Sequence, residues 1–137
     1  VEAPCLYWIL VSEDVKRWLE LAKYDLGTAE AMYASGRYLY VLFCCQQAIE
    51  KLLKARIVER TGEFPPRTHD LTKLSQSVAL SLTEGQDGFL RSLTKYYIGT
   101  RYPEEISLLA QETTGQIANQ FLQKTKEFAQ WLETQLK

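Results

Sequence analysis

The sequence is poor in the residues that most catalytic and metal sites require. It holds one histidine and three cysteines, and it contains no HExxH, GxSxG, CxxC or glycine-rich phosphate-loop motif. One histidine cannot build a histidine-rich metal site, and an odd number of cysteines fits no disulfide framework. The sequence therefore predicts no metal, no cofactor and a reducing, cytoplasmic environment; the cysteines are Cys5, Cys44 and Cys45.

Charge of one sign and long apolar runs are also scarce. The formal net charge of −1 gives no basic field over the whole surface, so contact with nucleic acid needs a local patch. One basic cluster lies between Lys51 and Arg67, although a solvated helix face also explains it. The opening VEAPCLYWILV is too short to span a bilayer and makes a poor signal peptide, so we expect no membrane contact and interpret residues 1–11 as an N-terminal tail.

Helical periodicity and helix-boundary residues dominate the rest of the chain. The first amphipathic stretch has Ser12 as its predicted N-cap and Gly36 as its terminator. The second, RYLYVLFCCQQAIEKLLKARIVERTG, is apolar nearly all round in its first half, which favours a homodimer that covers its outer side. The glycine and two prolines of TGEFPPRTHD end it, and capping residues then predict three more helices, which begin at Asp70, Thr83 and Thr113. The helix that begins at Thr83 is predicted to run to Gly99.

These elements predict two long helices, a proline loop, two shorter helices, a polar turn and a final long helix. No strand-like alternation competes with them. We therefore predict a single all-α domain over residues 12–137, an antiparallel up-and-down four-helix bundle with an additional short helix.

Two residues outside the apolar faces have more than one interpretation. His69, in the RTHDL turn, either shapes the loop before a helix or serves acid–base chemistry. Arg101, flanked by Tyr97 and Tyr102 just past a helix end, either binds a phosphate or carboxylate or pairs with Asp25, whose carboxylate lies beside the apolar face of the first helix and needs a partner.

A strip of polar residues marks the second long helix. It includes Gln46, Gln47 and a favourable i,i+4 pair, Glu50 with Lys54. Lysines and arginines supply phosphate contacts, and tyrosine rings stack on bases. The predicted ligand-binding residues are Lys51, Lys54, His69, Tyr97, Arg101 and Tyr102, with His69 and Arg101 as the only catalytic candidates.

Four segments together resemble the HEPN domain, the higher eukaryotes and prokaryotes nucleotide-binding domain. They are WLELAKYDLGTAEAMYASGRY, FCCQQAIEKLLKA, THDLTKL and YYIGTRYP, in the order and approximate spacing of that family. The resemblance implies a small stand-alone prokaryotic member, an antiparallel helical bundle, usually a homodimer and often encoded beside a minimal nucleotidyltransferase. Such members are suspected of binding nucleotides or of acting in toxin–antitoxin pairs.

Other branches of that family are metal-free ribonucleases. Their signature has a histidine four to six residues after an arginine, where this sequence has Glu105, Ile106 and Ser107 after Arg101. We therefore expect a nucleotide-binding and partner-binding module. The alternative is a metal-independent RNA endonuclease that uses Arg101 for the phosphate and His69 as general base. A scaffold whose dimer face is its whole function is the third interpretation.

Overall fold

The computed structural model describes the backbone of residues 2–135 and the side chains of residues 13–135. Over this range the regular structure is entirely helical, which confirms the all-α bundle. The helices are α1 (Glu2–Ala34), α2 (Tyr38–Thr61), α3 (Leu71–Ser77), α4 (Glu84–Thr94), α5 (Pro103–Glu112) and α6 (Gly115–Gln135). None of these helices is both long enough and apolar enough to cross a membrane.

The first helix starts earlier than predicted. Ser12 is not its N-cap, because α1 continues without a break from Glu2 to Ala34. Pro4 lies in the first turn, where proline's missing N–H removes no intrahelical hydrogen bond, and the first glycine is Gly27. The separation of residues 1–11 from the domain stays a prediction, because their side chains lie outside the described part of the chain.

Glycines in the left-handed conformation end α1 and α2, as the sequence predicts. Gly36 has φ +74° and joins α1 to α2, and the N–H of Arg37 donates to the carbonyl of Met32 at 2.9 Å. Gly62 has φ +70° and donates to the carbonyl of Val58 at 2.8 Å. This geometry turns the chain at low cost, because glycine has no Cβ to clash. The turn at Gly36 lets α1 and α2 pack as an antiparallel pair.

Helix α2 is the centre of the bundle. Fourteen of its 24 residues are buried, and it contacts α1, α3, α4, α5 and α6. Its apolar circumference is thus largely covered within one chain. The homodimer was predicted because that circumference was expected to need a second subunit to cover it. The fold removes this reason, and the homodimer stays a prediction.

Side-chain caps begin the later helices. Asp70 caps α3, and Thr83 with Gln86 forms the predicted capping box of α4. The predicted cap at Thr113 is wrong by one residue. The hydroxyl of Thr114 accepts from the N–H of Ile117 at 3.2 Å, whereas the Thr113 hydroxyl donates to the carbonyl of Leu109 at 2.6 Å and so belongs to the end of α5.

The segment between α4 and α6 differs most from the prediction. Helix α4 ends at Thr94 instead of continuing toward Gly99, and the expected polar turn contains the extra helix α5. Pro103 at the first helical position and the acidic residues Glu104 and Glu105 in the first turn account for its start. None of the residues of α5 is buried, so it lies on the surface of the bundle.

Candidate functional site

A buried carboxylate on α2 organises the candidate site. The Glu50 side chain is 6% exposed and accepts hydrogen bonds from Lys54 Nζ at 2.9 Å and Gln46 Nε2 at 3.1 Å. Its Oε1 also lies 2.9 Å from His69 Nδ1, within hydrogen-bonding distance. Gln46, Glu50 and Lys54 recur every four residues, so the helix places them on one face. The predicted Glu50–Lys54 pair is therefore confirmed, and it is part of a larger network.

His69 is held at several points. Its Nδ1 contacts Glu50, its carbonyl accepts from Gln46 Nε2 at 3.1 Å, and its ring stacks on Tyr97 with centroids 3.7 Å apart and an interplanar angle of 11°. The next residue, Asp70, caps α3. The imidazole is nevertheless 46% exposed. The loop thus fixes the ring while leaving part of it open to solvent.

Arg101 is anchored by the backbone rather than by Asp25. Its Nε and Nη2 donate to the carbonyl of Lys95 at 3.0 and 2.6 Å, and its Nη1 donates to Glu105 Oε2 at 2.8 Å. The alternative pairing of Arg101 with Asp25 is wrong, because Asp25 bonds to Lys51 across the antiparallel α1–α2 pair.

His69 and Arg101 line the same cleft, of about 410 Å³. The sequence alone left open whether the two residues meet in space. Tyr97 joins them in the lining, so the structure brings together three of the predicted site residues. The other lining residues are Asp70, Thr94, Thr100 and Glu105.

The remaining predicted site residues lie elsewhere. Lys51 pairs with Asp25, and both side chains are about one-fifth exposed. Lys54 is buried against Glu50, with its ammonium 5.8 Å from the centroid of the Trp18 ring. Tyr102 is 72% exposed and stands at the start of α5, outside the lining of the cleft.

The sequence did not predict that two acidic residues contact the site. Glu50 contacts His69, and Glu105 pairs with Arg101. The polar strip on α2 was recognised, but its connection to His69 crosses 19 residues and the proline loop. The signal in the sequence was the pair Gln46 and Glu50, an amide and a carboxylate one turn apart within a mostly apolar helix. Glu105 had a nearer signal, because it follows Arg101 by four residues, the spacing of a helical ion pair.

Burial and capping perturb the acidity of several other groups. The Thr72 hydroxyl, which donates to Asp70 at 2.6 Å, lowers the pKa of that carboxyl. Burial raises the pKa of Cys44 to about 11 and that of Cys45 to about 12, so both remain neutral thiols at physiological pH. Among the described residues, no group of three or more histidines, cysteines and acids is placed to hold a metal ion.

Comparisons with known proteins agree with this architecture. The family model of the HEPN domain matches residues 15–135. The crystal structure of TT1696 from Thermus thermophilus is 28% identical, with a TM-score of 0.78 over 89% of this chain and 98% of that one. The crystal structure of ST0689, an archaeal HEPN homologue, is 22% identical, with a TM-score of 0.64 over 90% and 98%. A search of curated proteins finds no match.

Proposed function

This chain belongs to the HEPN domain family, and on that premise we propose that it is a nucleotide-binding module whose phosphate site is the cleft between His69 and Arg101. The observation that carries the proposal is the presence of an anchored arginine and an anchored histidine in one cleft. The guanidinium donates hydrogen bonds to phosphate oxygens, and the imidazole offers a ring nitrogen for a further hydrogen bond to the ligand.

Arg101 can donate further hydrogen bonds to a ligand. A guanidinium carries five N–H groups, and among the described residues only three hydrogen bonds, to Lys95 and Glu105, engage them, which leaves two for a ligand. The Lys95 carbonyl fixes the plane of the group, so less side-chain freedom is lost when a phosphate binds. Glu105 is exposed and bonds to a single nitrogen of Arg101, so an incoming phosphate displaces it without leaving a buried charge unpaired.

Tyrosine and lysine take different parts in this proposal from those first expected. One face of Tyr97 is covered by His69, so Tyr97 supports the imidazole. Tyr102, next to Arg101 and largely exposed, is the ring available for stacking on a base. Lys51 and Lys54 are ion-paired with acids and support the site through α2 rather than by touching the ligand.

A partner protein completes the proposal. Small members of the family are often encoded beside a minimal nucleotidyltransferase, and we propose that this chain acts as a homodimer with such an enzyme in a toxin–antitoxin-like pair. Exposed apolar side chains on α1 and α2 offer surface for protein contacts: Leu21, Tyr24 and Tyr40 are 49%, 75% and 48% exposed. Sedimentation of the chain alone and with the enzyme tests both associations, and a monomer that binds no enzyme would refute this part.

Calorimetry with a panel of nucleotides tests the phosphate site. We expect binding to weaken by about tenfold or more in Arg101→Ala, because hydrogen bonds to charged groups contribute about 1.5–3 kcal/mol. Arg91→Ala is the matched control, since Arg91 is an exposed arginine on α4 that pairs with Asp87 four residues earlier and lies outside the cleft. Absence of binding by the wild-type protein, or equal losses in the two variants, would refute the site.

A metal-independent RNA endonuclease is the second candidate. The observation that favours it is the contact of His69 with a buried carboxylate beside the cleft that holds Arg101. In that chemistry His69 takes the proton of a ribose 2′-hydroxyl, whose oxygen attacks the adjacent phosphorus while Arg101 stabilises the added negative charge. The bond from phosphorus to the 5′-oxygen of the next nucleotide breaks, and that oxygen leaves and takes up a proton.

An RNA cleavage assay in EDTA separates the two candidates. The endonuclease predicts cleavage that disappears in His69→Ala and Arg101→Ala and persists in Arg91→Ala. Circular dichroism of each variant establishes that it is folded. Intact RNA with the wild-type protein eliminates the endonuclease and leaves the binding module.

A further inference from the structure

We infer that Glu50 is a positioning residue that fixes His69 with its proton on Nδ1, so that Nε2 is presented to the cleft as a hydrogen-bond acceptor. The inference rests on the proposed nucleotide site and deepens it. It adds that the ligand brings a hydroxyl donor together with its phosphate.

The neighbours of Glu50 define its role as an acceptor. Oε2 receives a hydrogen bond from the Lys54 ammonium, which has donors only, and Oε1 receives one from the Gln46 amide. The orientation of Gln46 is set by its own contacts, because its Nε2 faces two acceptors, Glu50 Oε1 and the carbonyl of His69. A carboxylate surrounded by donors accepts from His69 as well, and Nδ1 therefore carries the proton.

The other ring nitrogen is left for a ligand. In neutral imidazole one nitrogen donates and the other accepts, so a proton on Nδ1 makes Nε2 the acceptor. Within the described part of the chain, no hydrogen bond engages Nε2. Stacking on Tyr97 prevents the ring from turning over freely, so the direction of Nε2 is fixed along with its protonation.

The two anchored groups therefore bind different parts of a ligand. Arg101 binds a phosphate oxyanion, and His69 Nε2 accepts from a donor such as a sugar hydroxyl. One such hydrogen bond contributes about 1 kcal/mol, so a nucleotide with its ribose hydroxyls should bind about fivefold more tightly than an analogue without them. This preference depends on Glu50, although Glu50 is buried and does not reach the ligand.

Nitrogen-15 NMR of histidine-labelled protein reads the tautomer directly, because His69 is the only histidine in the chain. At alkaline pH, where imidazole is neutral, we expect a protonated, pyrrole-type Nδ1 and a pyridine-type Nε2 in the wild-type protein. Glu50→Gln should change this pattern, since an amide also donates. Glu59→Gln is the matched control, because Glu59 is a part-buried acid on the same helix whose partner is Arg56.

The wild-type spectrum keeps the inference testable even if Glu50→Gln does not fold. A protonated Nε2 in that spectrum would overturn the positioning role. So would a folded Glu50→Gln variant whose spectrum matches that of the wild type. Neither outcome depends on whether a nucleotide binds, so the role of Glu50 is tested separately from the proposed function.

Calorimetry with adenosine 5′-monophosphate and its 2′,3′-dideoxy analogue tests the hydroxyl preference. We expect the preference in the wild type and in Glu59→Gln, and its loss in Glu50→Gln. Equal affinities for the two ligands, with binding that still requires Arg101, would overturn the hydroxyl preference and leave the phosphate site intact. Failure of both ligands to bind, together with the rest of the nucleotide panel, would instead refute the proposed function.

Discussion

Replacing Asp70 with alanine tests how the helix next to the cleft is held. The Asp70 carboxylate accepts from the backbone N–H groups of Thr72 at 3.0 Å and Lys73 at 3.4 Å, and from the Thr72 hydroxyl at 2.6 Å. Alanine removes all three acceptor contacts. Helix α3 has only 7 residues, so it has few other hydrogen bonds to compensate.

The expected loss follows from the capping contacts. Removal of an N-cap typically costs about 1 kcal/mol and ranges up to about 2 kcal/mol. With an unfolding entropy of about 2.1 cal/mol/K per residue, a chain of 137 residues loses about 3–7 °C in Tm for a loss of 1–2 kcal/mol. Thermal unfolding followed by circular dichroism measures this change. An unchanged Tm in Asp70→Ala would refute the role of the cap.

The same residue makes a pH-dependent contribution with a defined sign. The hydrogen bond from Thr72 lowers the pKa of Asp70 in the folded state, so the charged carboxylate stabilises the fold above the unfolded pKa of about 3.9. That contribution is lost as pH falls through the lower folded value. Asp70→Asn is the control, because asparagine also caps helices but does not titrate.

Urea unfolding at several pH values compares the wild type with Asp70→Asn. We expect the wild type to be more stable above about pH 5 and the difference to shrink as pH falls below about 4. A difference that stays constant with pH would show that the charge of Asp70 does not contribute. That result would contradict the linkage even if the alanine variant were destabilised.

Three further predictions concern other parts of the bundle. Asp25→Asn should lower the free energy of unfolding by about 1–2 kcal/mol because it breaks a part-buried ion pair. Glu105→Gln, at an exposed ion pair, should lower it by less than about 0.5 kcal/mol. Equal losses of the two variants in urea unfolding would contradict this. Cys45, a neutral buried thiol, should resist iodoacetamide in the folded protein and react after unfolding, as peptide mass spectrometry would detect. Rapid labelling of the folded protein would refute the burial of this thiol. Ala79→Gly should raise the free energy of unfolding by about 0.5–1 kcal/mol, because Ala79 has φ +51°, a conformation that glycine adopts without strain. Ala110→Gly, within α5, should lower it, because glycine destabilises a helix interior. Tm shifts of the same sign in the two variants would contradict this prediction.

The helix boundaries that the sequence predicts correctly are those with local causes. Gly36 and Gly62 end helices through their own backbone conformation, and Asp70 and Thr83 begin them through contacts with the next few residues. Ser12 fails because the helix continues on both sides of it, so a good capping residue alone does not start a helix. Such residues mark a boundary only where the preceding chain leaves the helical conformation.

The types of residue at the site were easier to predict than their partners. His69, Tyr97 and Arg101 stood out as polar or aromatic residues near helix ends, and they share the cleft. Lys51 was predicted to bind ligand because lysines supply phosphate contacts, and its pairing with Asp25, 26 residues away on another helix, was not predicted. The register of α1 against α2 decides that pairing, and no local pattern in the sequence fixes it.

The surface position of α5 gives the cleft two walls of different tolerance to change. The inner wall includes His69, whose ring contacts the buried Glu50 of α2, and substitutions of Glu50 disturb the core. The outer wall includes Glu105 of α5, a helix with no buried residue. On the proposed function, new side chains at Glu105 can therefore reshape ligand selectivity at little cost in stability, so this position is the natural place to diversify the protein, whether by evolution or by a selection experiment.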